Sequence, residues 1–77
     1  MQDHVHTMSQ LFAQLGLPDD PAAIYWFVTH HAPLPGHLRL AEAPFWTSSQ
    51  AHLLARGVAD DADWAVVVDT LDTMLRH

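Results

Sequence analysis

Three residue types, asparagine, cysteine and lysine, are missing from this chain altogether, and the last two absences exclude chemistry. There is no cysteine among its 77 residues, so disulfides, thiolate metal sites and cysteine nucleophiles are ruled out. There is no lysine either, and the only fixed cations are Arg39, Arg56 and Arg76, set against eight Asp and one Glu. Nucleic-acid binding ordinarily rests on a patch of several cations that displaces counterions from phosphates. Three scattered arginines do not build one, and the same deficit argues against adhesion to an anionic membrane surface. No apolar run approaches the roughly 18 residues that a membrane span requires. The start, Met1-Gln2-Asp3-His4, has neither the basic region nor the apolar stretch of a secretory signal, and the cytoplasm is the expected compartment.

What is present describes one small folded unit. Nearly half of the residues, 49%, are hydrophobic, too many for a disordered tail. The length fits a single domain over 1–77 and a modest core. The net charge of −6 favours solubility and is silent about the fold.

Four stretches carry helical periodicity, separated by turn signals, and no segment alternates apolar and polar residues long enough to form a strand. Thr7 with Gln10 is a capping-box pattern that opens a helix from about Met8 to Leu15. Met8, Leu11, Phe12 and Leu15 form its apolar stripe, and Gly16 suits the left-handed closing residue. Asp20 followed by Pro21 opens the second helix, which stops before Pro33. Its inward stripe is Ile24, Phe27, Val28 and His31, which leaves Tyr25 and Trp26 on other faces. An ordered loop from Leu34 to Pro44 follows, pinned by Leu38, Leu40 and Phe45. Thr47 with Gln50 opens the third helix, with Ala51, Leu54, Ala55 and Val58 inward, Leu53 pointing elsewhere and Gly57 weakening the end. The fourth is capped at Asp60 or Asp61, and presents Trp64, Val67, Val68, Leu71 and Leu75 on one face, with Met74 at the edge. The expected fold is therefore all-α, a compact bundle of four short helices.

Several stretches together resemble a known family. They are His6-Thr7 leading into Leu11-Phe12-Ala13-Gln14-Leu15-Gly16-Leu17, then Ile24, Phe27 and His31, then Pro33-Leu34. Ala43-Pro44-Phe45-Trp46, Gln50, Ala62-Asp63-Trp64-Ala65 and Val68-Asp69 with Leu71 complete the set, spanning nearly the whole chain. The chain is similar to the small bacterial family catalogued as domain of unknown function 2789. That resemblance implies a free-standing helical domain and supplies no catalytic residues. Tyr25, Trp26 and Gly57 depart from what the resemblance leads one to expect, which is polar or helix-favouring residues at those places.

Two kinds of function fit these residues. The first is contact. Tyr25, Trp26 and Leu53 exceed what so small a core can hide, and aromatic surface left outside a small domain marks an interface. A homodimer is the expected form, because two-fold pairing is the commonest closed assembly; an unidentified protein partner is the other possibility. The second is histidine chemistry. His6, His31, Trp46 and Gln50 come from different segments and, if they converge, line a polar pocket in the helical core. The terminal His4 and His6 beside Asp3, with His30 or His31, would suit a transition metal, yet no spacing matches a dedicated zinc site, and no metal or cofactor is expected. Ser9, Ser48 and Ser49 stand at helix starts, where serine serves capping. The aspartates at 60, 61 and 63 lack the glycine turn and distal glutamate of a calcium loop. No reaction class follows from the sequence, which weighs against an enzyme.

Overall fold

The computed structural model of the protein describes residues 7–57 and 62–77. Among these the chain forms four α-helices, α1 (Met8–Gln14), α2 (Pro21–His31), α3 (Ser48–His52) and α4 (Ala62–Leu75), and no strand. The expected roles of Asp3, His4, His6, Val58, Asp60 and Asp61 fall outside the described residues.

The local signals act as the sequence implies. The Thr7 hydroxyl accepts the Gln10 amide at 3.1 Å, and the Gln10 side chain accepts the Thr7 amide at 2.8 Å. At the other end of α1, Gly16 takes φ 73°. Leu17 donates to the Phe12 carbonyl and Gly16 to that of Ala13, the paired bonds of a Schellman ending. Any side chain at 16 would strain this left-handed residue. Asp20 caps α2 by accepting the Ala23 amide at 3.2 Å, and Ala32 leaves helical geometry at ψ 151° before the cis bond to Pro33.

The long connection between α2 and α3 is ordered by its own Trp46 and by a cation reaching in from the end of α4. Its Leu34, Leu40, Ala43 and Trp46 are buried, whereas Leu38 and Phe45 are half-buried. Leu40–Glu42 makes a 3-10 turn that the sequence patterns do not announce. The Trp46 indole donates to the Leu40 carbonyl at 2.7 Å. Arg76, just past α4, donates to the carbonyls of Pro35 and Leu38, both at 2.7 Å, while Asp72 holds its Nε at 2.8 Å. One cation therefore straps the loop to the end of α4.

The third helix differs from expectation. Only Ser48–His52 is α-helical, and Leu53–Gly57 widens into a π turn. Ala55, expected on the inward stripe, lies within this turn and is exposed. Leu54 keeps its buried place.

The core joins Leu11 and Phe12 of α1 to Leu71 and Leu75 of α4, all four fully buried. Ile24 and Phe27 of α2 complete it, and the Phe27 ring meets Phe12 edge-on at 5.3 Å. Among the described residues no buried side-chain nitrogen or oxygen lacks a hydrogen-bond partner. None of their helices is long and apolar enough to cross a membrane.

Candidate functional site: an apolar cleft along the second helix

Helix α2 has more apolar side chains than one buried face can take. Ile24 and Phe27 enter the core, and Val28 packs partly against it. Tyr25 stays 71% exposed and Trp26 56%. At about 100° per residue these two rings point away from each other, so they do not form one patch. Trp26 lies on the side of α2 that borders α1. There an open cleft of about 390 Å³ is lined by Phe12, Leu17, Pro18, Ala23, Trp26, Phe27 and His31. Its walls are almost wholly carbon. Small-molecule pockets begin at about this size, and the anchor pockets of protein interfaces have the same composition.

Helical spacing explains the shape. Ala23, Trp26, Phe27 and His31 recur at three- and four-residue steps, so they stand above one another along α2. The Schellman ending of α1 turns Leu17 and Pro18 toward the start of α2 and forms the opposite wall. Ala23 is the small residue in the row, and the concavity lies beside it. The Trp26 indole stacks on the His30 ring at 3.9 Å with 19° between planes, which fixes its orientation at the lip.

His31 closes one end of the cleft among aromatic rings. It lies 4.2 Å from Phe45 in a stacked arrangement and 4.4 Å from Phe27. Loss of water around the ring, and then the neighbouring His30, lower its pKa below the ordinary 6.5. The imidazole at this position is consequently neutral at pH 7.

Three of the four residues expected to line a polar pocket lie among the described residues. Trp46 stacks on Phe27 at 5.4 Å, and its indole N–H is taken by the Leu40 carbonyl. Gln50 accepts from Thr47 at 2.9 Å and donates to the Leu15 carbonyl at 2.9 Å, tying α3 to the end of α1. His31 lines the apolar cleft, and His6 lies outside the described residues. Among the described residues no three His, Cys, Asp or Glu side chains are grouped to hold a metal ion. Of the contact candidates, Leu53 is half-buried against the core, whereas Tyr25 and Trp26 stand free. Sequence reasoning named Trp26 and missed the wall facing it, because Leu17 and Pro18 follow the end of α1 and belong to no helical stripe. A third exposed apolar residue, Val66 at 66%, borders a more open hollow of about 290 Å³ with Asp69, Thr70, Thr73 and Met74. The hydroxyls of Thr70 and Thr73 there donate back to α4 carbonyls.

Residues 1–75 match the family described as protein of unknown function, DUF2789. The chain belongs to the DUF2789 family. Its fold is similar to the solution NMR structure of protein CV0237 from Chromobacterium violaceum, with a TM-score of 0.76 and 46% sequence identity. That match covers 90% of this chain and 86% of the other. No curated protein matches. The DUF2789 description assigns no activity, so a functional reading rests on the α2 surface itself.

Proposed function

We propose that this DUF2789 protein is a small helical binding module of the cytoplasm that pairs with a second copy through the aromatic surface of α2. The observation that carries this reading is Trp26, more than half exposed at the lip of an apolar cleft of about 390 Å³. A large ring left in water beside a concave apolar wall is the arrangement from which interface anchors are made. Hydrogen-bonding groups near the core are already committed, as at Trp46 and Gln50, which leaves apolar burial as the chemistry this surface offers. Nucleic acid is a poor partner for it. Arg76 is spent on the loop, and two arginines remain in a chain of net charge −6.

Sedimentation equilibrium of the untagged protein tests this reading. α2 has only 11 residues, about 16 Å of helix, so the contact falls below the usual 800 Å² per partner and the dimer is weak. Mass rising toward twice the monomer through tens to hundreds of micromolar is the expected result. A constant monomer mass over that range overturns it.

A further inference from the structure

We infer that the cleft beside Trp26 binds a small quaternary ammonium ion, held by the indole ring and by the negative charge of Asp19 and Asp20. The inference goes beyond pairing and does not depend on it. Size is the first constraint: about 390 Å³ lies at the small end of ligand pockets, room for a compact group and not for a long chain. Within the cleft the Trp26 indole matters most. His30 covers one face of that ring, so the opposite face is the one left for an occupant. The face of an indole carries negative potential and attracts a cation more strongly than any other side-chain ring.

The surrounding charge has the matching sign. Pro18 and Ala23 both line the cleft, and each adjoins a carboxylate. Asp19 follows Pro18 in the chain, and Oδ2 of Asp20 lies 3.2 Å from the Ala23 amide nitrogen. Both aspartates are exposed, and their two full charges outweigh the partial positive charge, about one half, at the start of α2. Arg39, Arg56 and Arg76 are all absent from the lining, and His31, neutral at pH 7, adds no opposing charge. These features select among ligands. A primary ammonium or a guanidinium brings N–H donors, which walls almost wholly of carbon leave unanswered. A quaternary ammonium carries its charge behind methyl groups and gives up no hydrogen bonds on entering. An anion meets like charge at Asp19 and Asp20. A neutral apolar molecule fits the carbon but draws nothing from the carboxylates.

Choline and its uncharged isostere 3,3-dimethylbutan-1-ol, which share a shape and differ in charge, make the test. Each is titrated at pH 7.5 into isotopically labelled protein, dilute enough to sediment as a monomer, and followed by amide and indole N–H resonances. Choline should shift Ala23 and the Trp26 indole saturably, with half-saturation at millimolar concentration, while the Trp46 indole, bonded to Leu40, stays in place. The isostere should bind about fivefold more weakly, or worse. Trp26→Ala should weaken choline by about fivefold or more. Asp19→Asn, which leaves the Asp20 cap intact, should weaken choline about twofold and leave the isostere unchanged. Equal affinity for the two probes, or no saturable shift at Ala23 and Trp26 up to about 100 mM choline, overturns the inference. Both substituted positions are exposed, so the far-ultraviolet spectra should remain those of the parent helices. A chain that stays monomeric at every concentration overturns pairing and leaves this inference standing.

Discussion

The Arg76 side of the molecule and the Trp26 side obey opposite rules. Around Arg76 every offered group is answered: two loop carbonyls, the Asp72 carboxylate and the Leu34 amide on the Leu75 carbonyl at 2.6 Å. Around Trp26 an indole ring and a cleft face water with little to hold them except the stack on His30. The first region spends its residues on keeping one shape. The second gains nothing for the lone chain from its exposed ring, which is why we assign function there.

Substitutions can break this contrast, beginning with the largest effect. Phe12→Ala removes a fully buried ring shared by α1 and the core, and should cost about 3–5 kcal/mol. A domain of this length holds only about 4–12 kcal/mol in total, so chemical denaturation should find the variant marginal or unfolded. Arg76→Met keeps much of the apolar stem but removes both carbonyl bonds and the ion pair. Because the side chain is partly exposed, a loss of about 1–3 kcal/mol is expected in urea melts. Trp46→Phe deletes one of the two donors to the Leu40 carbonyl, which keeps the Ala43 amide at 3.2 Å, and leaves a smaller ring in a buried site, so it should cost about 1–3 kcal/mol in the same assay. Trp26→Ala, in contrast, should change monomer stability by less than about 1 kcal/mol, since it gives up one exposed stack. Comparable losses from Trp46→Phe and Trp26→Ala would erase the distinction between the two sides.

The smallest expected effect is a pH response centred on His31, at the boundary between the two regions. Its folded pKa lies below the ordinary 6.5, through desolvation first and His30 second. Between the two values the unfolded chain binds more protons than the folded one. The contribution of His31 is thus fully present above about pH 6.5 and is lost as pH falls through the lowered folded value. Thermal midpoints followed downward from pH 7 should fall more steeply for the parent than for His31→Phe, which cannot take up the proton. Parallel curves would remove His31 from the account.

Much of the fold was legible because its signals are local. Both capping boxes, the Asp20-Pro21 start and the left-handed Gly16 depend on residues three or four apart, and each appears where its pattern places it. The π turn at Leu53–Gly57 was not legible, since apolar spacing assumes the ordinary helical pitch. The Arg76 clamp was hidden for a different reason: its partners are backbone carbonyls 38 and 41 positions away, and carbonyls leave no mark in a sequence. The cleft was half visible. Trp26 is conspicuous as an aromatic off the inward stripe, but the opposing wall exists only because the ending of α1 folds Leu17 and Pro18 against α2. The partners of Trp46 and Gln50 were not legible either, since both side chains donate to backbone carbonyls.

The central claim is that the Trp26 face exists for contact and not for holding the monomer together. Sedimentation equilibrium of the parent and Trp26→Ala, run side by side up to hundreds of micromolar, addresses it most directly. The account predicts a parent whose mass climbs toward the dimer and a variant that stays monomeric while equally well folded. Identical mass curves for the two proteins would contradict it.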